Sequence, residues 1–279
     1  MAATRSSWIA LATPLVQAGF GVRVIHPQQA HDFAKALRKQ AQTDAIDAQM
    51  LARRAALLQP PAWTPPPAIY TALQQRLVQR DGLLELRQQV RNQLHALLQQ
   101  PVVIAAVRHR MAVRSATFDA HIAELDGELA AALRHDDAWA ATAARLQTMP
   151  GIGIIATAWL LVATLHLSVC ATPEAVAASA GLAPHPRPSG TRVRGDQRLG
   201  QSGHARLRAV LYRATRSAAQ HTPVIKPFYD RLRAAGTPHK VARCAAARKL
   251  VHLAWAVATK GQPCDPHDQQ RGTPVAPTP

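Results

Sequence analysis

Residues 69–97, IYTALQQRLVQRDGLLELRQQVRNQLHAL, decide the fold class of this 279-residue chain. Their apolar positions recur every three or four residues, which predicts one long amphipathic helix. These positions are Ile69, Leu73, Leu77, Leu83, Leu86, Val90, Leu94 and Leu97. Residues 116–134 repeat the pattern but carry acids where the first segment carries arginines. We expect the two segments to form an antiparallel coiled coil, either within one chain or between two chains.

The rest of the chain also predicts a mostly α-helical protein. Only 4% of the residues are aromatic and alanine supplies much of the apolar content, which favours helices over sheet sandwiches. Further helices are predicted at residues 6–18, 28–38, 204–221, 223–235 and 238–260. The β-branched alternation of residues 21–25 predicts one short strand. A proline-rich linker precedes the long helix, and a Pro- and Gln-rich tail, 261–279, is expected to be disordered.

The charge of the chain predicts a polyanionic partner. The net charge is +17, and residues 138–260 contain 17 lysines and arginines but only three acids. The three cysteines are scattered and the 13 histidines show no ligand spacing, so neither a zinc site nor a disulfide framework is predicted. A reducing cytoplasm fits this usage. The apolar run 151–171 is interpreted as a buried helix followed by a turn, and a membrane span is the less favoured alternative.

The most basic stretch is residues 181–208, GLAPHPRPSGTRVRGDQRLGQSGHARLR. It has one acid, Asp196, and a serine, Ser189, in its middle. Its arginines are Arg187, Arg192, Arg194, Arg198, Arg206 and Arg208. Arginine binds phosphate through paired hydrogen bonds, so this stretch indicates either a phosphate-binding loop or an ordinary solvated basic loop.

Two aspartates open a predicted helix in QTDAIDAQMLARRAALL. Asp44 and Asp47 are three residues apart, so a helix places both carboxylates on one face, with Thr43 as the N-cap. The pair either complements the positive end of the helix dipole or forms half of a Mg²⁺ site.

The glycines of Met149-Pro-Gly-Ile-Gly153 predict a tight turn between two helices. Gly151 and Gly153 would let a nucleic-acid phosphate approach the exposed N–H groups at the next helix start, as in a helix-hairpin-helix unit.

Four motifs in this order resemble the DEDD transposases of the insertion-sequence one-hundred-ten family. The motifs are QTDAIDAQMLAR, TMPGIGIIATAWLL, GLAPHPRPSGTRVRGDQRLGQSGHARLRAVLY and PFYDRLRAAGTPHKVARCAAARKL. Each motif alone has low specificity, whereas four in order across residues 1–258 are specific.

The resemblance implies a division into a RuvC-like α/β domain at 1–60, a coiled-coil linker at 61–137 and a helical transposase domain at 138–260. It implies that Ser189 attacks DNA and that Asp44 and Asp47 are the last two acids of a Mg²⁺-binding quartet. It also implies DNA and a structured bridge RNA as partners. The coiled coil and DNA strand exchange favour a homodimer or tetramer, and we expect no membrane association and a bacterial cytoplasmic location.

The start of the chain departs from the family pattern. Ala2 falls where the family has a glutamate and Arg5 where it has a glycine, and the first aspartate is absent. We therefore expect an N-terminally truncated α/β remnant with weakened or lost Mg²⁺ binding and, as one consequence, lost activity.

Two other functions remain open at this point. A non-catalytic nucleic-acid-binding remnant would use only the hairpin and the arginine-rich stretch. A Mg²⁺-dependent, structure-specific nuclease would use Asp44 and Asp47 without Ser189.

Overall fold

The computed structural model describes residues 7–25, 27–36, 44–185, 198–199 and 203–262. Its regular structure is almost wholly helical, which confirms the predicted fold class. Two compact units divide the chain, residues 1–67 and residues 68–279. The predicted tail lies outside the described residues from 263 onward, and the three-way domain division stays a prediction.

The first unit contains three described helices, α1 (Ser7–Gln17), α2 (Pro27–Ala36) and α3 (Asp44–Leu58). Helix α1 ends in a Schellman motif, because Gly19 has φ +85° and the Phe20 N–H reaches the Leu15 carbonyl at 3.0 Å. Helices α2 and α3 pack through Arg54, whose guanidinium lies 5.6 Å from the centre of the Phe33 ring. The three helices predicted here are therefore confirmed.

The strand predicted at residues 21–25 is wrong. Within the described part of this unit, Ile25 alone forms an isolated β-bridge, and the Val22 carbonyl accepts a hydrogen bond from the Trp63 N–H at 2.7 Å. The rings of Trp8 and Trp63 meet edge to face, 5.3 Å apart. A β-branched alternation needs a neighbouring strand to become a sheet, and the described residues of this unit offer none. The RuvC-like α/β remnant is therefore not confirmed.

The second unit opens with a helical hairpin formed by α4 (Ala68–Leu98) and α5 (Ala105–Arg134). Leu73, Leu77, Leu129 and Leu133 are buried in its apolar seam. Arginines of α4 form ion pairs with acids of α5. Arginines later in α4 pair with acids earlier in α5, so the two helices run antiparallel within one chain. The pairs are Arg76–Glu128 at 2.7 Å, Arg80–Asp126, Arg87–Asp119 at 2.5 Å and Arg91–Asp119 at 2.7 Å.

The described residues of the second unit form six more helices: α6 (Asp137–Gln147), α7 (Ile154–Ala163), α8 (Pro173–Ser179), α9 (Ala205–His221), α10 (Ile225–Ala234) and α11 (His239–Lys260). Two short strands, β1 (Pro184–His185) and β2 (Arg198–Leu199), lie between α8 and α9.

Helix α7 is the centre of the core. Every residue from 156 to 162 is buried, and α4, α5, α6 and α9 pack around it. The turn that follows has three consecutive non-glycine residues with positive φ, Leu165, His166 and Leu167. The apolar run at 151–171 is therefore a buried helix and a turn. Within the described part of the chain, no helix is both long and apolar enough to cross a membrane.

We predict that Arg80 and Asp126 stabilise the hairpin by about 1 kcal/mol, the upper end for such pairs, because the Arg80 side chain is only 14% exposed. A double-mutant cycle of Arg80→Ala and Asp126→Ala, followed by urea unfolding, measures this coupling free energy. A cycle of Asp126→Ala with Arg110→Ala is the control, since Arg110 is exposed on α5 and has no ion pair among the described residues. Equal coupling in both cycles would contradict the prediction.

Candidate nucleic-acid interface

A short β-ladder lies within the arginine-rich stretch, residues 181–208, which we call the anchored stretch from here on. Strands β1 and β2 pair antiparallel, with Pro184 opposite Leu199 and His185 opposite Arg198. The predicted residues Ser189, Arg187, Arg192 and Arg194 lie outside the described residues. Arg198 is placed by its backbone in β2.

A second contact, between residues 179–181 and residues 203–204, lies next to the ladder along the chain. Gly203 has φ +99°, and a Cβ there would lie 2.5 Å from the Gly181 nitrogen. The His204 N–H donates to the Ser179 carbonyl at 2.7 Å. The chain therefore leaves the end of α8 and returns to the start of α9 at one place, and only glycine fits this crossing.

His204 caps the first turn of α9. Its Nδ1 accepts a hydrogen bond from the Leu207 N–H at 3.2 Å, and its ring lies 5.0 Å from that of Trp159. Burial lowers the pKa of His204, which favours the neutral ring that this cap requires. Sequence analysis assigned no role to this histidine, because His is not one of the usual N-cap residues.

Arg206 connects the start of α9 to two acids on α4. Its Nη1 lies 2.6 Å from Glu85 Oε1 and 3.6 Å from Asp81 Oδ2. Asp81 is only 5% exposed, and burial raises its pKa although Arg206 opposes the shift. Sequence analysis missed both acids. Their spacing could have predicted the burial of Asp81, because Leu73, Leu77 and Asp81 follow one another in steps of four residues on one face of α4.

The turn at residues 149–153 joins α6 to α7 as predicted, and its two glycines differ. Gly151 has φ +92°, and a Cβ there would lie 2.4 Å from the Ala214 carbonyl oxygen of α9. Packing inside the protein thus explains Gly151 without nucleic acid. Gly153 is exposed, begins α7 without a side-chain cap, and a Cβ there would meet nothing within 4 Å. Contact of either glycine with nucleic acid stays a prediction.

Asp44 and Asp47 lie in the first turn of α3, as predicted, and Asp47 is exposed. Magnesium is often held by one or two carboxylates, with water and substrate phosphates completing its shell, and binding of Mg²⁺ by these two aspartates stays a prediction. Across the described ranges, no group of three or more His, Cys, Asp or Glu side chains is arranged to hold a metal.

Arg208 lies on the first turn of α9 and is half-buried. Arg206 and Arg208 are thus two of the predicted arginines that lie on α9, the helix that follows the anchored stretch. The structure thus brings Arg206 and Arg208 beside the ends of the stretch, and Asp44 and Asp47 belong to the other unit.

Two transposase sequence models match separate parts of the chain. The model of the Transposase IS116/IS110/IS902 family matches residues 143–230, and that of the DEDD transposases of IS110 matches residues 1–102. Together they cover about two thirds of the chain. The chain belongs to the IS116/IS110/IS902 family of transposases. DNA binding and recombination are the activities of this family.

Curated relatives agree with this assignment. The chain is 27% identical over 266 residues to the pilin gene-inverting protein of Moraxella bovis, covering 94% of this chain and 80% of that protein. It is 29% identical over 170 residues to an uncharacterized 42 kDa protein of insertion element IS900 from Mycobacterium paratuberculosis, covering 61% and 41%. A third relative, from insertion element IS116 of Streptomyces clavuligerus, is 31% identical over 139 residues, covering 50% and 34%.

We predict that Gly151→Ala destabilises this unit by about 3 kcal/mol, because a Cβ both strains the positive φ and collides with the α9 backbone. Gly153→Ala is the matched control and should cost about 1 kcal/mol or less, since its φ is −87° and its surroundings are open. Urea unfolding of both variants measures the difference. Similar losses of stability from both substitutions would contradict the packing role of Gly151.

A second prediction concerns the carboxylate of Asp81. A raised pKa means that the folded state holds the proton more tightly than the unfolded state, so the charged carboxylate opposes folding increasingly as the pH rises above the unfolded value of 3.8. Asp81→Asn should therefore unfold at a higher urea concentration than the wild type near pH 7, and the gain should shrink near pH 4. The opposite result would be a wild type that is more stable than Asp81→Asn near pH 7, with the difference disappearing near pH 4. That result would show that Arg206 lowers the pKa of Asp81 instead.

Proposed function

We propose that this chain cuts and joins DNA with Ser189 as the nucleophile. The observation that supports the proposal best is that described residues on either side of Ser189 meet, because β1 pairs with β2 and the His204 N–H donates to the Ser179 carbonyl. The sequence from 186 to 202 contains Ser189 and four of the six arginines, Arg187, Arg192, Arg194 and Arg198. Anchored ends reduce the conformational entropy that the segment would lose on closing around a phosphate.

The chemistry proposed for Ser189 is transesterification. Its Oγ attacks a DNA phosphorus atom, a new Oγ–P bond forms, and the bond from phosphorus to one deoxyribose oxygen breaks. The serine proton leaves, and the released deoxyribose oxygen ends as a hydroxyl. Joining is the reverse reaction, in which a hydroxyl of another strand attacks the phosphoserine. No bond is hydrolysed, so the number of phosphodiester bonds is restored.

The arginines would stabilise the negative charge that accumulates on the phosphate oxygens in the transition state. Guanidinium groups bind two of these oxygens in parallel, which makes them suited to this task. Among these arginines, Arg206 has ion pairs that fix it, since Glu85 and Asp81 hold its Nη1 at the start of α9. The two acids thus position a cation that is 47% exposed and still accessible to a phosphate.

Asp44 and Asp47 are the residues that would hold Mg²⁺. The metal, when bound, would neutralise phosphate charge and polarise the reacting oxygens.

A structured guide RNA and a second copy of the chain are further proposed partners. The excess of positive charge at residues 138–260 supports binding of more than one nucleic-acid strand. Exchange of strands between two DNA sites favours a dimer or a tetramer, with one serine for each strand that is cut.

The deciding experiment is a covalent-adduct assay. Purified protein is mixed with Mg²⁺, DNA carrying the element ends and RNA transcribed from the sequence beside the gene, and a denaturing gel separates the products. We expect a protein–DNA band that Ser189→Ala abolishes and that the neighbouring control Thr191→Val retains. The band should fall with Asp47→Asn.

The other two functions give different results in this assay. DNA cleavage that survives Ser189→Ala but is lost with Asp47→Asn would indicate a Mg²⁺-dependent nuclease. Binding without any band or cleavage would indicate a non-catalytic nucleic-acid-binding protein.

We predict that replacing Arg192 and Arg194 by alanine weakens DNA binding for all sequences alike, because phosphate contacts carry no sequence information. The logarithm of the affinity should also fall less steeply with the logarithm of the salt concentration, by about one unit of slope for each phosphate that the variant no longer binds. Titrations of several duplexes at a series of salt concentrations measure both effects. A weakening confined to one DNA sequence would instead indicate that these arginines read bases.

A further inference from the structure

A basic cleft opens between α9, α10 and α11. Its volume is about 560 Å³, within the range of sites that hold small organic ligands. The side chains that give it its character are Arg216 and Gln220 of α9, Lys226 and Tyr229 of α10, and His239 and Arg243 of α11. We call this site the basic cleft.

The charges of the basic cleft leave two arginines for a ligand. Asp230 is the one acid among the described residues that line it, and Lys226 pairs with Asp230 at 2.7 Å. Arg216 is exposed and has no ion pair within the described part of the chain. An anion entering the cleft therefore meets no uncompensated carboxylate on the lining residues.

Arg243 is held in place before any ligand binds. Its Nη2 donates to the Tyr212 carbonyl at 2.7 Å, and its guanidinium lies 4.1 Å from the centre of the Tyr212 ring. Its Nε is buried and has no hydrogen-bond partner among the described residues. A guanidinium that is already fixed loses little entropy when it binds a phosphate.

Aromatic groups line the same cleft. The rings of Tyr229 and His239 meet edge to face, 6.2 Å apart, and Tyr229 is half-buried. Aromatic side chains bind nucleic-acid bases by stacking, without reading their sequence. Guanidinium groups beside aromatic rings, around a cavity of this size, match the phosphate and the base of one nucleotide.

We propose that the basic cleft binds one nucleotide of a nucleic-acid strand, with its phosphate between Arg216 and Arg243 and its base against Tyr229. The choice of a strand, as opposed to a free nucleotide, rests on the proposed function. Thr215 at the edge of the cleft lies eleven residues along α9 from His204, a distance of about 16 Å at 1.5 Å per residue. A stacked strand covers that distance in about five nucleotides at 3.4 Å each.

The test compares two variants that each remove one positive charge. Arg216→Ala removes a cation from the basic cleft, and Lys240→Ala removes an exposed cation of α11 that does not line it. Fluorescence anisotropy of a labelled 20-nucleotide single-stranded DNA measures binding at fixed salt. We expect Arg216→Ala to weaken binding about tenfold, as for the removal of one charged hydrogen bond, and Lys240→Ala to weaken it less than about twofold.

Deoxyadenosine monophosphate serves as the second probe, with binding followed by saturation-transfer NMR. Arg216-dependent binding of the oligonucleotide alone supports a strand as the source of the nucleotide. Arg216-dependent binding of the mononucleotide as well supports the same site for free nucleotides. Equal effects of Arg216→Ala and Lys240→Ala on both probes overturn the proposal.

The same measurements separate this inference from the proposed function. If the wild type binds no DNA but still binds the mononucleotide through Arg216, the proposed function fails and the nucleotide site stands. If the wild type forms the Ser189-dependent adduct while the two variants bind equally, only the basic cleft is overturned. Both substituted side chains are exposed, and equal thermal unfolding midpoints verify that the fold is unchanged.

Discussion

The contact of Gly151 with the backbone of α9 is the constraint on which the second unit depends. No side chain separates the turn from the helix there, because a Cβ would lie 2.4 Å from the Ala214 carbonyl oxygen. The turn also starts α7, whose buried residues 156–162 contact the hairpin of α4 and α5. One glycine therefore fixes α9 against the core, and α9 carries both the return of the anchored stretch and one wall of the basic cleft.

The distribution of charge follows from the way the hairpin uses its acids. Four arginines of α4 pair with three acids of α5, because Arg87 and Arg91 share Asp119. Residues 138–260 have only three acids for 17 cations, so most of these cations have to be neutralised by ions or ligands from outside the unit. Glu85 and Asp81 are exceptions in α4, because they face Arg206 of α9 instead of α5. The hairpin, residues 68–134, thus has eight arginines and six acids, whereas the excess of cations at residues 138–260 is available for polyanions.

The spacing of apolar residues made the helices predictable from sequence. It could not predict which residues far apart in the sequence contact each other. The leucine stripe from Leu73 to Leu97 predicts a helix because burial on one face requires that spacing. The alternation at residues 21–25 failed, since a strand depends on a neighbour that local sequence does not encode. Gly151 was recognised as a close-approach residue, but its partner is α9. Asp81 and His204 were missed because their roles depend on Arg206 and Trp159, which are distant from them in sequence. Ser189 lies outside the described residues, and its proposed role as the nucleophile is what the family resemblance implies.

Asp81 also shows why stability alone does not account for this site. Burial raises the pKa of its carboxyl, so the charged form is less favourable here than in water even with Arg206 beside it. A leucine would continue the stripe of Leu73 and Leu77 without that cost. The carboxylate instead gives Arg206 a fixed position next to Glu85, where both acids meet one guanidinium nitrogen. In the basic cleft, Arg243 is likewise fixed by Tyr212. Two pre-positioned guanidinium groups thus lie along α9, Arg206 in its first turn and Arg243 beside Tyr212 near its middle, an arrangement suited to a strand that runs along the helix.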